Sequence, residues 1–336
     1  MTCSFYIERL RSAMQAQSFP AEEIESCCQY AQSLLCQNLP VLFDASHLCN
    51  ILRLHDINWN AYHTFTLPQH GKLRTITAPS RPLKERQKWI LQEILSHLKV
   101  SPWAHGFETG RSIKTNAVLH ANHAYALCMD IQDFFPSISD QSVAAVFQNA
   151  GYSASVSRLL ADLCCFQGSL PQGAPTSPKL SNILFRDLDE QLAMIAAEAQ
   201  ATYSRYADDL TFSSEHSLND VFLQAEKILT ASGFQLHPEK IHFYGPGSPK
   251  KITGLIVQNG MVRVPKRLKR ALRQEIHYCT KYGVLTHLEN TKSTHIIHYR
   301  EYLYGKAYYI HMIEPEEGQR FLEKLDQILW PPNLLY

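Results

Sequence analysis

The sequence predicts an α+β fold built on an antiparallel sheet. Strand-like segments are few and are interleaved with helices, without the regular alternation of βαβ units. Two pairs of strand-like segments are joined by short turns, as in β-hairpins, and hairpins are antiparallel. No Gly-rich phosphate loop of the dinucleotide-binding or ATPase type occurs, which disfavours the classes of fold that carry one.

The individual elements follow from apolar periodicity and from turn residues. Helical spacing of apolar side chains predicts a helix at 21–36, and Pro40 separates it from a second helix at 45–54. Alternation predicts strands at 62–66 and 73–77 around a turn at 69–72. The other predicted elements are helices at 83–98, 139–149, 154–165, 180–199 and 217–231, a strand at 125–129, a strand–turn–strand unit at 202–213, and a short strand near Gln235.

Composition indicates a packed protein. The chain has 336 residues, of which 45% are apolar, too many for a disordered chain. Its nine cysteines are odd in number and contain no CxxC pair, so we expect reduced thiols and no zinc site. No signal peptide is evident, and no apolar run approaches the ~20 residues needed to span a bilayer. We therefore expect a soluble, cytoplasmic protein with no membrane partner.

The net charge of +1 conceals an uneven distribution of charge. Residues 1–60 hold 3 basic and 6 acidic side chains, whereas residues 263–306 hold 10 basic and 3 acidic ones. Residues 307–336 return to 2 basic and 5 acidic side chains. Taken alone, the basic segment is typical of a solvated helical face.

Three carboxylates occupy positions where strands end. Asp130 follows the predicted strand 125–129, and Asp208 and Asp209 are adjacent at the tip of the 202–213 unit. Adjacent acids at an apolar hairpin tip are electrostatically costly unless a cation neutralises them. Mg²⁺ prefers oxygen ligands, and a pair of such ions supports phosphoryl transfer. An ordinary polar turn is the alternative that these acids alone leave open.

Four segments, in order along the chain, resemble motifs of reverse transcriptases. Residues 130–138 (DIQDFFPSI) resemble motif A, and residues 170–178 (LPQGAPTSP) resemble motif B. Residues 206–209 (YADD) resemble the YxDD box, and Lys240 in residues 237–240 (HPEK) fits motif D. The shared order of four motifs makes a chance match an inadequate explanation.

Two further segments resemble elements of bacterial retron reverse transcriptases. Residues 116–120 (NAVLH) fit their NAxxH element, and residues 252–254 (ITG) fit their VTG element with Ile in place of Val. The resemblance implies a right-hand polymerase fold with fingers, a palm containing the antiparallel sheet, and a helical thumb. We expect a helical N-terminal extension at 1–60, fingers and palm at 61–260, and a basic thumb at 261–336.

The resemblance also implies catalytic residues. Asp130 and Asp208 would ligate two Mg²⁺ ions, with an additional oxygen from the Ile131 carbonyl. Asp209 resembles the third carboxylate of the catalytic set, which is often less directly engaged. Arg205 precedes the YADD box, and its sequence position leaves open whether it contacts substrate or pairs with an acid.

Further positions match those that surround the incoming dNTP in the family. Phe135 matches the aromatic residue that crowds the sugar 2′ carbon and so excludes ribonucleotides. Gln172 and Gly173 match positions beside the nucleotide and the template. The remaining matches are basic: Lys72 and Arg74 would meet the triphosphate, and Lys240 would either act as an acid toward pyrophosphate or balance the charge of the site.

Other residues are candidates for RNA or primer–template contacts. Asn116 and His120 come from the NAxxH match, where His120 contacts either RNA or the protein itself. Thr253 and Gly254 come from the ITG match. The basic thumb segment adds Lys266, Arg267, Lys269, Arg270 and Arg273, because Lys and Arg neutralise backbone phosphates.

We therefore expect a retron-type RNA-directed DNA polymerase. The resemblance implies a cognate structured non-coding RNA, a branched RNA–DNA product (msDNA), an associated effector protein and a role in anti-phage defence. The 76 residues after Gly260 suffice for a thumb but not for an added RNase H domain, so host RNase H is an expected partner. The alternatives are another bacterial reverse transcriptase, of a non-retron defence, diversity-generating or group II intron type, and a non-catalytic RNA-binding scaffold. Residues 1–60 would either bind the effector or support the fingers.

Overall fold

The chain begins with three helices. A computed structural model describes residues 3–54, 61–69, 72–291 and 298–331. The first helices are α1 (Cys3–Ala16), α2 (Ala21–Leu35) and α3 (Ala45–Leu52). The Asp44 side chain caps α3 by accepting a hydrogen bond of 2.7 Å from the His47 amide. The helices predicted at 21–36 and 45–54 are thus confirmed, and α1 is an addition.

A hairpin and two helices follow. Strands β1 (Tyr62–Gln69) and β2 (Lys72–Pro79) pair antiparallel, as predicted, while residues 70 and 71 of the predicted turn lie outside the described residues. Helix α4 (Arg81–Glu93) gives way to a 3₁₀ turn at Leu95–His97, and α5 (Ile113–Leu119) starts at a capping box formed by Ser112 and Thr115.

The centre of the molecule is a four-stranded antiparallel sheet. Its strands are β3 (Tyr125–Asp130), β4 (Thr202–Tyr206), β5 (Asp209–Ser214) and β6 (His242–Tyr244), arranged in the order β4-β5-β3-β6. The helices around it are α6 (Asp140–Asn149), α7 (Ala154–Cys164), α8 (Ser177–Leu184), α9 (Arg186–Glu198) and α10 (Asn219–Ala231). A second 3₁₀ turn, Pro238–Lys240, precedes β6.

The two faces of the central sheet differ in chemistry because side chains alternate along a strand. One face carries Leu127, Met129 and Phe212, which pack in a hydrophobic cluster with residues of α9 and α10. The other face carries small polar side chains, including Ser204 and Ser213. The polar face is covered by α5 and by His120, the residue that follows α5 and contacts those serines.

The C-terminal part combines a small sheet with four helices. Strands β7 (Lys250–Ile252), β8 (Leu255–Gln258) and β9 (Met261–Arg263) form an antiparallel meander. The helices are α11 (Lys266–Tyr282), α12 (Val284–Thr291), α13 (Tyr299–Ile313) and α14 (Pro315–Asp326). Gly318 lets α14 approach α13 closely, because a Cβ at this position would overlap the backbone of His311.

The predicted helix at 180–199 is wrong in one respect, because it is two helices that meet at Phe185. The Phe185 ring is buried, lies 5.7 Å from the Phe134 ring and 5.2 Å from the Phe234 ring, and sits beneath the Arg205 guanidinium. These are tertiary contacts, which periodicity within one segment does not show. The predicted strand near Gln235 is reduced to a bridge between Ile131 and Leu236.

The hydrophobic clusters cross the predicted domain boundaries. Leu34, Leu48 and Leu52 of the N-terminal helices share one cluster with Leu83 and Phe147 of the next region. Strands β7 and β8 likewise share a cluster with the C-terminal helices. The division at 1–60, 61–260 and 261–336 remains a prediction about function, since packing does not separate these segments.

Candidate active site

Three carboxylate residues meet at one edge of the central sheet. Asp130 ends β3 and is the ladder partner of Asp209, which begins β5. Tyr206 also pairs with Asp209, so Ala207 and Asp208 form a two-residue turn between β4 and β5. The turn is tied to the neighbouring strand because the Ile131 amide donates to the Asp208 carbonyl at 3.0 Å. The hairpin that the sequence predicts thus brings its acids beside Asp130.

The charges at this edge are incompletely balanced. Burial raises the pKa of Asp209 to about 7, and the negative charges of Asp208 and Asp130 act in the same direction. Lys240 Nζ lies 2.7 Å from Asp130 Oδ1 and partly offsets this repulsion. Among the described residues, no three His, Cys, Asp or Glu side chains converge as a preformed metal site. The backbones of the three aspartates are therefore adjacent and their negative charges repel one another, but in the described residues their side chains do not form a three-ligand metal site.

A buried ion pair between Arg205 and Asp189 supports the Ala207–Asp208 turn through a hydrogen bond to its backbone. Arg205 and Asp189 are both fully buried and form two hydrogen bonds, from Nε to Oδ1 at 2.9 Å and from Nη2 to Oδ2 at 2.8 Å. Arg205 Nη1 donates to the Ala207 carbonyl at 3.1 Å and to Asn182 Oδ1 at 3.1 Å. Of the two roles left open for Arg205, the structure shows pairing with an acid. Its side chain positions the turn and is closed off from solvent.

A glycine allows another segment to pack against the same turn. Residues 103–105 run beside β4, with the His105 amide donating to the Arg205 carbonyl at 2.6 Å. A Cβ at Gly106 would lie 2.6 Å from the Ala207 nitrogen, closer than side chains are found. Asn182 Nδ2 donates to the Gly106 carbonyl at 2.8 Å and so links this segment to the Arg205 network. Gly106 is thus required for the observed position of the turn.

The carboxylate edge opens into a cleft of about 360 Å³. The predicted site residues that line it are Asp130, Ile131, Phe135, Gln172, Asp208 and Lys240. Three other lining residues, Phe107, Asp133 and Ala207, have φ values of +65°, +47° and +57°. Left-handed backbone is uncommon outside glycine and costs free energy, and it clusters at functional sites. Both the strained backbone and the carboxylate side chains of the cleft are therefore typical of a functional site.

A second cleft of about 530 Å³ adjoins the first. The two share Phe107, Phe135 and Gln172, and the second is also lined by Gly173 and Lys84. The Phe107 and Phe135 rings lie 6.2 Å apart and form an aromatic wall at the junction. Phe107 and Lys84 are additions to the site residues that the sequence predicts.

Gly173 lies in the loop before α8 and allows this loop to pack against the hairpin β1–β2. A Cβ at Gly173 would lie 2.8 Å from the Thr77 carbonyl oxygen, and the Thr77 amide donates to the Gln172 carbonyl at 2.8 Å. The close approach that Gly173 permits is therefore an approach to β2. Lys72 and Arg74 lie on β2, the strand that also carries Ile76, which lines the second cleft. The side chains of Lys72 and Arg74 lie outside the described part of the structure.

Comparison with known proteins identifies the family. Residues 63–257 match the family model described as reverse transcriptase (RNA-dependent DNA polymerase). The retron Ec86 reverse transcriptase of Escherichia coli is 36% identical over 68% of this chain and 73% of its own length. This chain is a retron reverse transcriptase. The retron Mx162 and Mx65 enzymes of Myxococcus xanthus are 32% and 33% identical over 82% and 78% of this chain. These two alignments span 65% and 64% of the relatives' lengths, somewhat less than two thirds.

The reverse transcriptase family confirms the predicted right-hand polymerase fold and RNA-directed DNA polymerase activity. In that fold the antiparallel sheet corresponds to the palm, and the assignment of the hairpin β1–β2 to the fingers and of α11–α14 to the thumb stays a prediction. No helix in the described ranges is both long and apolar enough to cross a membrane.

The structure corrects the expected RNA contact at Asn116 and His120. Both side chains are fully buried between α5 and the palm sheet. His120 Nε2 lies 2.7 Å from Ser204 Oγ, and His120 Nδ1 lies 2.6 Å from Ser213 Oγ. Ser204 Oγ in turn donates to Asn116 Oδ1 at 2.8 Å. Of the two roles open for His120, these contacts support the structural one, because RNA has no access to either side chain in this conformation.

The buried His120 predicts a pH-dependent stability of the retron reverse transcriptase. Burial, with smaller contributions from His123 and His105, lowers the pKa of His120 to about 3. In the unfolded chain the pKa is ~6.5, so between these values the unfolded state binds more protons and the fold loses stability as pH falls. From pH 6.5 to 5 we expect His120 to account for a loss of about 2 kcal/mol in the free energy of unfolding.

Urea unfolding at pH 7 and pH 5 measures this effect. In a His120→Gln variant the pH-dependent loss should shrink by about 2 kcal/mol, whereas the same substitution at the exposed His63 should leave it unchanged. Equal losses in wild type and His120→Gln would contradict a neutral, buried His120.

The candidate primer–template residues fall into two groups. Thr253 and Gly254 form the turn between β7 and β8, both with positive φ. In the thumb, Lys266, Arg267 and Arg270 are exposed. Lys269 is instead held by both oxygens of Glu314, at 3.0 and 2.9 Å, and Arg273 lies 3.2 Å from Glu317. Lys269 is thus engaged within the thumb, which the sequence did not indicate.

Several site residues could not be found from sequence. Gly106 offers a weak signal, since an isolated glycine often marks a place where another backbone approaches closely. Asn182 and Asp189 give no signal in the sequence, because they lie on α8 and α9 and contact Arg205 only when these helices pack against β4. No pattern within a single segment encodes such a meeting.

Proposed function

We propose that this retron reverse transcriptase copies its cognate RNA through two-metal nucleotidyl transfer at the palm edge. The observation that carries the proposal is the meeting of Asp130, Asp208 and Asp209 beside a cleft lined by Phe135 and Lys240. The donor set suits two Mg²⁺ ions, because the carboxylates and the Ile131 carbonyl offer only oxygen. Burial and the neighbouring charges of Asp208 and Asp130 raise the pKa of Asp209, and a bound cation would offset this negative charge. When bound, the ions would stabilise the attacking and leaving oxygens.

The chain's own residues would bind and orient the dNTP. Phe135 would stand against the sugar, and Gln172 and Gly173 would border the base and the template. Lys72 and Arg74 would approach the triphosphate from the fingers, and Lys84, at the rim of the second cleft, adds a cation on the same side. Lys240, whose Nζ lies 2.7 Å from Asp130 Oδ1, would balance the charge of the departing pyrophosphate or protonate it.

Phe107 belongs to the same proposed nucleotide site. Its ring is about half exposed, adjoins Phe135 and borders both clefts. The Asn182 network fixes its backbone in the left-handed region. An exposed aromatic ring held in this way is suited to packing against a base or ribose.

The proposed partners follow from the retron relatives. We propose a cognate structured non-coding RNA as template and partner, its cDNA as product, and a branched RNA-linked DNA as the final form. Host RNase H would trim the template, and an effector protein would couple the complex to anti-phage defence. Residues 1–60 are the proposed effector contact or a support for the fingers.

The proposal is tested by sequencing nucleic acid that co-purifies with the protein and by Mg²⁺-dependent primer extension on RNA. A retron enzyme yields a branched RNA–DNA molecule that a debranching enzyme converts to linear DNA. Linear or repetitive cDNA would indicate one of the other bacterial reverse transcriptases. Bound RNA with no DNA synthesis would indicate a non-catalytic scaffold.

Phe135→Val is expected to admit ribonucleotides. The smaller side chain leaves room for a 2′-hydroxyl, so the ratio of rNTP to dNTP kcat/KM should rise by about 10- to 100-fold. Single-nucleotide incorporation assays measure this ratio. Phe243→Val, on β6 and outside both clefts, is the matched control and should retain the wild-type ratio. An unchanged ratio in Phe135→Val would exclude this residue as the sugar gate.

A further inference from the structure

Phe107 has a backbone conformation that its neighbours must maintain. Its φ of +65° lies in the left-handed region, while its ring is about half exposed at the junction of the two clefts. A residue with a bulky side chain pays about 1–2 kcal/mol for this conformation and keeps it only where surrounding contacts enforce it. The contacts that hold the residues on either side of Phe107 therefore decide where the ring stands.

Glu108 supplies the contacts on the C-terminal side of Phe107. Its carboxylate is largely buried, and Oε2 lies 2.9 Å from Lys179 Nζ. Its other oxygen, Oε1, accepts a hydrogen bond of 2.8 Å from Asn182 Nδ2. Lys179 and Asn182 are three residues apart on α8 and so share one face of that helix. A single carboxylate thus fastens the backbone beside Phe107 to one face of α8.

Asn182 holds the N-terminal side of Phe107 as well. The same Nδ2 that donates to Glu108 also donates to the Gly106 carbonyl at 2.8 Å. Phe107 therefore lies between two residues that are bound to one amide group. This arrangement explains how a half-exposed ring keeps a left-handed backbone.

Helix α8 connects this loop to the rest of the active site. Ser177 and Pro178, the first residues of α8, line the second cleft. Further along the helix, Asn182 Oδ1 accepts a hydrogen bond of 3.1 Å from Arg205, which also donates to the Ala207 carbonyl. Hydrogen bonds therefore run without interruption from the neighbours of Phe107 to the catalytic turn.

Arg111 braces the base of the same loop. Its Nη1 donates to the Ala104 carbonyl at 2.8 Å and to the Pro102 carbonyl, and its amide donates to the Glu108 carbonyl at 3.2 Å. None of these bonds uses the Glu108 side chain. Loss of the Glu108 carboxylate should therefore release the segment around Phe107 while the base of the loop stays in place.

We propose that Glu108 is a positioning residue for dNTP binding, which fixes the Phe107 ring beside the incoming nucleotide through Lys179 and Asn182. The proposal rests on the proposed function, in which Phe107 packs against a base or ribose. Glu108 lines neither cleft, so it acts through Phe107. A ring that is ordered in advance lowers the entropy cost of binding the nucleotide. Because the ion pair is largely buried, salt screens it less than a pair on the surface.

Single-nucleotide incorporation at varied dNTP concentration tests the role of Glu108. Glu108→Ala should raise the KM for dNTP by about tenfold and keep kcat within about twofold of wild type, because binding is impaired while the aspartates are unchanged. Lys179→Met should raise KM by a smaller factor, and Lys179→Arg, which retains the ion pair, should keep the wild-type KM. The control Glu226→Ala removes an exposed acid from α10 and should leave both constants unchanged.

A Phe107→Ala background separates positioning from a general loss of stability. If Glu108 acts through Phe107, then Glu108→Ala should raise the KM of Phe107→Ala by less than about twofold, because the ring that it holds is already absent. A tenfold increase in both backgrounds would overturn the proposal. The same conclusion would follow if Glu108→Ala lowered kcat and kept the wild-type KM.

Hydrogen exchange of the free protein gives a measurement that does not depend on polymerisation. The amides of residues 106–110 should exchange at least about fivefold faster in Glu108→Ala than in wild type, while those of α10 keep their rates. Equal exchange at 106–110 would contradict the proposal even where DNA synthesis is normal. Failure of the proposed function is a separate result, namely wild-type protein that does not extend a primer, and hydrogen exchange still decides whether Glu108 holds the loop. A wild-type KM in Phe107→Ala would remove Phe107 from the nucleotide site and overturn the present proposal with it.

Discussion

An Asp208→Asn variant of this reverse transcriptase is expected to lose RNA-templated DNA synthesis by at least about 10³-fold. The reason is geometric and electrostatic: Asp208 sits at the tip of the β4–β5 turn and lines the cleft next to Asp130. A neutral amide keeps the shape but removes a charge that would hold the catalytic cation. A 10³-fold loss corresponds to about 4 kcal/mol in the activation barrier.

Single-turnover primer extension on an RNA template measures this loss, and hybrid binding measured in parallel reports on folding. Asp187→Asn provides a control with the same chemical change at an exposed acid on α9. We expect the control to extend primers at the wild-type rate and Asp208→Asn to bind the hybrid without extending it. Extension by Asp208→Asn within a few-fold of wild type would remove Asp208 from the catalytic set.

Arg205→Met is expected to destabilise the fold by about 3–5 kcal/mol. Methionine approximates the length of the side chain but leaves the Asp189 carboxylate buried without its partner, which is the costly part of breaking a buried ion pair. The substitution also removes the donor to the Ala207 carbonyl. We therefore expect the catalytic turn to lose its position in those molecules that remain folded.

Urea unfolding of Arg205→Met, Asp189→Leu and the double variant separates these effects. The double variant should recover most of the lost stability, because no unpaired buried charge remains, while primer extension stays impaired. Arg158→Met is the control: this arginine pairs with two acids, Asp140 and Asp162, but on the surface, where the expected cost is below about 1 kcal/mol. Comparable costs for Arg205→Met and Arg158→Met would contradict the role of burial.

The local elements and the catalytic motif could be predicted because their signals lie within short segments. Alternation over 62–66 and 73–77 predicts the fingers hairpin, and the apolar run at 125–129 predicts the strand that ends at Asp130. The YADD turn is similarly local, so its two acids could be assigned to a hairpin tip. The helix break at Phe185 was missed because it depends on contacts with distant segments. The strands β7–β9 pair with their sequence neighbours and were missed because they have only 3, 4 and 3 residues, too few for a clear alternation.

Sequence by itself determined the family of this reverse transcriptase and predicted its site residues: the three aspartates, Phe135, Gln172 and the basic helix α11. Only the tertiary structure decided how these residues are held and which of them are accessible. It buried His120 and Asn116 against the palm and paired Arg205 with Asp189. The physical reason is that motif spacing records contacts along a chain, whereas burial and charge pairing arise when separate elements meet.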